Sequence, residues 1–280
     1  MSENVLHINP LLAKVKLPGR VFQLPSKGLF YPPGVLSDTV KDGEIQVKPM
    51  SALVELKIRS ADLLISTKII REITQECAPE ILYPEKLLSI DVDALFVFLV
   101  ASTYGNKKSI RSMHDCDGAD IHDYMIDLDP IIANPRNKCL DHRDVLYQCD
   151  LDNGQTVYLK PVLFNDAIDM MVLRQSINEK ELIDPTSITS KELEDLVIRD
   201  LMAVIQSVST GGPDSVLVTD RKDIDEWCRA LSKANVERIV AASARAGDWG
   251  FNMTVKLTCK DCGKEYDHQI ELNPINFFSG

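Results

Sequence analysis

Apolar residues recur near a helical period between residues 51 and 77 of this chain. The pattern predicts two helices with a break near residue 66, and Ser51 is placed to cap the first of them. A further helix is predicted to begin after Ser89 and to end near Tyr104 and Gly105. Because residues 95–100 are apolar on nearly all sides of that helix, we expect it to be the most deeply buried element of the fold.

Strand-like segments dominate between residues 109 and 162. The clearest are 145–151 and 155–160, which flank Asn153 and Gly154. An Asn-Gly pair between two strand-like runs is a strong hairpin signal. The sequence therefore predicts a β-hairpin here.

Helical patterns return over residues 165–178, 190–208 and 220–246, and Thr189 and Glu192 have the spacing of a capping box. The last thirty residues again have strand character, and the first fifty are rich in turn formers, which predicts an extended arm and a small hairpin.

The predicted fold class is α+β, with a helical body, a β-rich N-terminal arm and two paired, zinc-ribbon-like β-knuckles that flank a helical insert. The predicted parts are the arm and hairpin (1–50), a helical domain (51–108), the first knuckle and hairpin (109–162), the helical insert (163–248), and the second knuckle with the C-terminal tail (249–280).

The pairing of the knuckles is expected from an internal repeat in which seven positions recur at an offset of 144 residues. The first copy is Asp123, Ile126, Asp127, Leu128, Asp129, Pro130 and Ile131, and the second is Asp267, Ile270, Glu271, Leu272, Asn273, Pro274 and Ile275. Each copy follows a segment that contains cysteine. The simplest account is two matching knuckles that pair in space.

The second knuckle contains Cys259 and Cys262, with Gly263 directly after them. Two thiolates at this spacing can bind one tetrahedral ion if the turn folds back, and the glycine permits that backbone. A structural zinc ion needs four ligands, so this knuckle requires a partner.

The first knuckle offers Cys116, with His114 or His122 to complete the set. Met113 stands where a further cysteine would be expected. A second pair, Cys139–His142, competes for the same role. The alternative to a zinc site is a degenerate knuckle held by ordinary packing.

Composition narrows the class of protein. The chain has 280 residues, 45% of them hydrophobic, and a net charge of −11, which opposes binding to nucleic acid. Its seven cysteines are an odd number, which favours reduced thiols or a metal site over a disulfide scaffold. The longest apolar run is too short to cross a bilayer and the start lacks a signal peptide, so we expect a soluble chain that folds in a reducing cytoplasm.

No phosphate-binding loop, dinucleotide fingerprint or nucleophile elbow occurs in the chain. No catalytic residue is therefore expected, and no small-molecule substrate. Two segments instead offer apolar and aromatic groups to other proteins. The candidate partner-binding residues are Leu24, Pro25, Lys27, Tyr31, Phe277 and Phe278. The alternative is that both segments pack on their own domain.

Several of these features, taken in order, resemble one family. An early Leu-Pro-Ser-Lys-Gly-x-x-Tyr arm, a helical block that ends in Ser-Thr-Tyr-Gly at 102–105, two knuckles around a helical insert and a terminal Phe-Phe resemble the baseplate hub subunits of T-even-like contractile-tailed bacteriophages. The usual family pattern has paired cysteines in both knuckles, whereas this chain keeps only Cys116 in the first.

The resemblance implies a structural or assembly protein of the viral tail baseplate hub, without enzymatic activity. Its partners would be other tail baseplate or hub proteins. It would be found in the virion tail, after assembly in the host cytoplasm. Three alternatives stay open: a tail or hub assembly chaperone absent from the finished particle, a zinc-ribbon nucleic-acid-binding accessory protein, and an enzyme with an unrecognised carboxylate or thiol site.

Overall fold

The structure is a computed structural model that describes residues 18–58, 67–116, 118, 120–136, 147–184 and 187–270. The Cys139–His142 pair, the two terminal phenylalanines Phe277 and Phe278, and the part of the repeat beyond residue 270 lie outside the described residues.

Helices and short strands alternate along the described chain. The helices are α1 (Ala52–Ile58), α2 (Thr67–Cys77), α3 (Ser89–Tyr104), α4 (Asp129–Ala133), α5 (Phe164–Ile183), α6 (Ser190–Val204), α7 (Arg221–Arg229) and α8 (Lys233–Ala246). The strands are β1 (Arg20–Gln23), β2 (Glu44–Val47), β3 (Lys107–Ser112), β4 (His122–Asp127), β5 (Gln148–Asp150), β6 (Thr156–Leu159), β7 (Ile205–Ser209), β8 (Leu217–Val218), β9 (Thr254–Thr258) and β10 (Glu265–Gln269).

All strand pairs between these elements are antiparallel. β1 pairs with β2, β3 with β4 and β9 with β10 as separate two-stranded sheets, and the order β5-β6-β7-β8 forms a four-stranded sheet. This mixture of helices and small antiparallel sheets confirms the predicted α+β class.

Buried apolar residues form two main clusters. The first surrounds α3 and takes in β1, β2, α2, β4 and the C-terminal hairpin β9–β10. The second lies between the four-stranded sheet and helices α6, α7 and α8. The segment 147–246, called the insert from here on, thus has a core of its own, although the start of α5 also joins the first cluster through Phe164. The rest of the described chain is called the first body. Along the sequence, the insert lies between the two knuckle hairpins.

Helix α3 is the centre of the first cluster, as the sequence predicts. Leu95 is 1% exposed and Val97, Phe98, Leu99 and Val100 are fully buried. Burial of each such side chain stabilises the fold by about 1.5–3 kcal/mol.

Two local predictions, a capping box and a hairpin, are confirmed. The Thr189 hydroxyl accepts from the Glu192 N–H at 3.2 Å, and the Glu192 carboxylate accepts from the Thr189 N–H at 2.9 Å, so the capping box is formed. β5 and β6 form the predicted hairpin, whose turn closes where the Leu151 N–H donates to the Gln155 carbonyl at 2.9 Å.

Other predictions in the insert were wrong. The helix predicted over 190–208 ends at Val204, because β-branched residues such as Ile205 and Val208 bury their side chains in the second core as part of β7. The helix predicted over 220–246 is two helices, and the Ser232 hydroxyl caps the second by accepting from the Asn235 N–H at 3.3 Å.

The sheet also crosses the predicted boundary at residue 162. β5 and β6 precede that boundary and β7 and β8 follow it, yet all four strands share one sheet. The hairpin β5–β6 therefore shares a sheet with strands of the predicted insert 163–248 and not with the first knuckle.

A buried carboxylate fixes the N-terminal arm to α3. Asp91, which is fully buried, accepts hydrogen bonds from the Ser26 N–H at 3.0 Å, from the Ser26 hydroxyl, and from the Tyr31 hydroxyl at 2.6 Å. The Tyr31 oxygen in turn accepts from the Leu88 N–H at 2.9 Å. Burial raises the pKa of Asp91, and the hydrogen bonds from Ser26 and Tyr31 oppose that rise.

The turn that presents Ser26 and Tyr31 depends on close backbone packing. Gly43 has φ +71°, and a Cβ atom there would lie 2.6 Å from the Cα of Lys27. The Leu24 N–H donates to the Gly43 carbonyl at 2.9 Å, which holds the two segments together. Only glycine fits at this position without a shift of the backbone.

Replacement of Tyr31 by phenylalanine tests the role of this network. Y31F removes one hydrogen bond to a buried carboxylate and leaves the Leu88 N–H without its acceptor, so we expect the free energy of unfolding to fall by about 1–3 kcal/mol. Chemical denaturation with a matched Y83F variant measures the effect. Tyr83 is 48% exposed, so its variant should stay within about 0.5 kcal/mol of wild type. Equal stability of the two variants would contradict the assignment.

Candidate metal centre

The tips of two hairpins that are distant in sequence meet in space. β3–β4 supplies His114 and Cys116, which directly follow β3, and the turn of β9–β10 supplies Cys259 and Cys262. The hairpins are the two predicted knuckles.

The four side chains form a compact donor set. The Nδ1 or Nε2 of His114 and the Sγ atoms of the three cysteines all lie within 4.8 Å of one another. Cys116 Sγ and Cys259 Sγ are 3.9 Å apart, and Cys262 Sγ lies 3.4 Å from His114 Nδ1. Zn–S bonds of about 2.3 Å and Zn–N bonds of about 2.0–2.1 Å in a tetrahedron place ligand atoms about 3.5–3.8 Å apart. The cluster could therefore hold one metal ion with little movement.

The turn of the second hairpin brings both of its thiols to the same side. Gly263 has φ +73°, and its N–H donates to the Cys259 carbonyl at 3.0 Å. The Cys259 N–H donates to the Lys264 carbonyl at 2.9 Å. This is the folded-back turn that the Cys-x-x-Cys-Gly spacing predicts.

The three thiols of the cluster lie so close together that ionisation of one opposes ionisation of the others. A hydrogen bond from the Cys262 backbone lowers the pKa of Cys259 to about 6. Desolvation, together with the neighbouring thiols Cys262 and Cys259, raises the pKa of Cys116 to about 12. A divalent cation reverses this repulsion, because coordination deprotonates thiols outright.

A second layer of contacts holds the turn in place. The Asp261 carboxylate lies 2.8 Å from His122 Nε2 and accepts from the Asp120 N–H at 3.2 Å. The interaction with His122 lowers the pKa of Asp261. His122 thus pairs with the opposite hairpin and is not one of the four clustered donors. Of the two histidines left open by the sequence, His114 is the one in the cluster.

Aromatic and hydroxyl groups join the hairpins below the cluster. The rings of His114 and Tyr266 are 4.7 Å apart, and the Tyr266 hydroxyl donates to Ser112 Oγ at 2.8 Å. Ser112 Oγ also lies 2.8 Å from His268 Nδ1. Sequence reasoning missed these residues and Asp261; the alternation of polar and aromatic residues in β10 is the signal that could have indicated Tyr266 and His268.

The four clustered side chains match the donor set of a structural zinc site. Four protein donors leave no open position for a substrate, as is typical of structural zinc sites. The contact between Ser112 and His268 pairs a hydroxyl with a base, but Ser112 is only 5% exposed and makes a poor nucleophile for a substrate in solution.

The other predicted site residues lie elsewhere. Met113 is 57% exposed and its neighbour His114 takes the position in the donor set. In the arm, Leu24 is 1% exposed and Tyr31 is bonded to Asp91, so these two pack on their own domain. Pro25 is half-buried and Lys27 is exposed.

Among the described residues, no helix is both long and apolar enough to span a bilayer. Comparison with known proteins adds the family. A family model described as T4 bacteriophage base plate protein matches residues 35–279, which is most of the chain. The chain therefore belongs to the T4 bacteriophage base plate protein family, a family of structural proteins of the phage tail. No curated protein and no solved structure matches it.

Zinc content tests the cluster directly. We expect about one zinc ion per chain by elemental mass spectrometry, and loss of the ion in C259S because the thiolate set is then incomplete. Metal binding is coupled to folding in such sites, so the variant should also lose about 3 kcal/mol of stability, a fall in melting temperature of roughly 6–12 °C.

Two cysteine variants serve as controls. Cys228 lies in the second core, and C228A should keep its zinc. C139S tests the competing hypothesis that the Cys139–His142 pair binds the ion. Retention of zinc in that variant would assign the ion to His114, Cys116, Cys259 and Cys262. Unchanged melting of wild-type protein with and without a chelator would contradict a structural metal.

Proposed function

We propose that the protein is a non-enzymatic structural component of the viral tail baseplate hub, which acts through contacts with other tail proteins. The observation that carries the proposal is the family match over residues 35–279. The donor set at the hairpin tips supports it, since four protein ligands on one ion would leave no position open for a substrate.

The surface of the insert also supports a role in protein contacts. Helices α5 and α6 run antiparallel, as the Arg174–Asp200 pair at 2.6 Å and the Lys180–Glu192 pair show. Their outer faces carry large apolar side chains that are 43–87% exposed. These are Met171, Val172, Leu182, Ile183, Leu193 and Val197. Exposed apolar surface of this kind is typical of interaction sites.

One structural zinc ion is part of the proposal. Held by His114, Cys116, Cys259 and Cys262, the ion would join the hairpins on either side of the insert and supply rigidity, not catalysis. The exposed Lys27 of the arm, and Phe277 and Phe278 at the terminus, are proposed as further partner contacts.

Counting the chain in purified particles tests the proposed role. We expect quantitative mass spectrometry to find it at a fixed, low ratio to the tail tube protein. Presence in infected-cell lysate but absence from particles would contradict stable incorporation and indicate an assembly chaperone. The nucleic-acid alternative predicts salt-dependent binding to DNA or RNA, which the net charge of −11 opposes.

A further inference from the structure

The four-stranded sheet of the insert has an open edge at β8. Within the described part of the chain, β7 is the one strand that pairs with β8. The segment 215–219 contains no charged residue and no proline, and in it Val216 is 61% and Leu217 56% exposed. Natural edge strands are usually protected by charges, prolines or bulges. β8 is short, with two residues, which is itself a form of protection, but the segment 215–219 carries no charge and no proline.

Leu217 has backbone hydrogen-bonding groups that are not used in pairing with β7. The Thr210 N–H donates to the Val216 carbonyl at 3.0 Å, and Val208 pairs with Val218 two residues further along the strands. Hydrogen-bonded and non-hydrogen-bonded pairs alternate in an antiparallel ladder. The N–H and C=O of Leu217, which lies between these pairs, therefore point away from β7.

A groove of about 370 Å³ adjoins the same edge on the outer face of the sheet. The groove is lined by Tyr158, Gln206, Ser207, Ser209, Ser215 and Leu217. The register shift between Tyr158 and Leu159 leaves Gln206 as the extra residue of a bulge in β7. The lining offers hydroxyls and an amide but no charge.

We infer that the β8 edge binds an extended segment of another protein, which adds to the sheet as a fifth strand. In such a complex the bound residue opposite Leu217 directs its side chain to the face of the sheet that carries the groove. The bound residues before and after it direct their side chains to the other face, where those of Val216 and Val218 lie. The segment recognised would then have a polar, uncharged residue between two β-branched apolar ones.

Charge indicates which occupant the edge selects. Asp214 and Asp220 flank the uncharged segment. The Asp220 carboxylate also caps α7 by accepting from the Lys222 and Asp223 N–H groups, and the neighbouring Arg221 donates to the Ile205 carbonyl at 2.7 Å. A segment with basic residues at both ends is complementary to the two carboxylates. A second copy, paired antiparallel about Leu217, would instead place Asp214 opposite Asp220 twice, and like charges opposite one another are destabilising. The inference rests on the proposed function in one respect, which is that the bound segment belongs to another tail protein.

A labelled peptide with blocked ends and the sequence Lys-Thr-Val-Gln-Val-Thr-Lys is the probe. Fluorescence anisotropy with the full-length protein should show saturable binding. Exchange of both terminal lysines for glutamates should weaken binding about ten-fold, because two attractive pairs become repulsive.

Two substitutions at one position separate edge pairing from simple adhesion. L217P removes the outward N–H and leaves the ladder donors of Val216 and Val218 in place, so binding should be lost. L217T keeps that N–H and should bind within about three-fold of wild type. Circular dichroism and melting establish that both variants are folded. If L217P does not fold, V216K replaces it, because a lysine there repels the basic probe and should also abolish binding.

Three results would overturn the inference. They are the absence of saturable binding at millimolar protein, equal binding by the proline and threonine variants, and a wild-type dimer in light scattering that V216K dissociates, since the occupant would then be a second copy. Peptide binding is measured without particles, so its failure is distinguishable from absence of the chain in the virion.

Discussion

The meeting of two hairpins on either side of a large insert is the constraint on which the rest of the structure depends. Cys116 and Cys259 are 143 residues apart in sequence and 3.9 Å apart at sulfur. Arg136 forms a β-bridge with Gly250, so the chain leaves and rejoins the first body at nearly the same place. The entropy cost of closing a loop rises only slowly with its length, so a long insert with its own core is tolerated.

A second restraint ties the arm to the central helix. Asp91 is buried in the first body, and an unpaired buried carboxylate would be costly. Ser26 and Tyr31 supply the hydrogen bonds that it needs. The Ser26 and Tyr31 positions of the Leu-Pro-Ser-Lys-Gly-x-x-Tyr motif are thus explained by folding, whereas Lys27 and Leu29 are exposed.

Large apolar side chains are exposed both on the insert and on the first body. The helical hairpin α5–α6 of the insert exposes apolar side chains, and the sheet of the insert ends in the open strand β8. In the first body, Leu53, Leu56, Ile121 and Met125 are 65–71% exposed. A body whose segments are joined by buried polar and thiol contacts, and whose surface exposes apolar side chains, suits a structural protein of a tail.

The sequence alone determined the features that depend on neighbouring residues: the buried helix α3, the hairpin at Asn153-Gly154, the capping box at Thr189, and the turn that brings Cys259 and Cys262 together. Period, turn chemistry and cap spacing are local properties, so they can be read without the fold.

Tertiary structure decided what depends on distant partners. It brought His114 rather than His122 into the cluster, because Asp261 engages His122 from the opposite hairpin. It made 205–209 a strand, because β6 offers an edge that a helix could not use. It also turned Tyr31 inward, towards a carboxylate sixty residues away. The spacing of apolar residues and the residue types cannot specify these three outcomes, because each depends on which distant segment lies next to the residue in the folded chain.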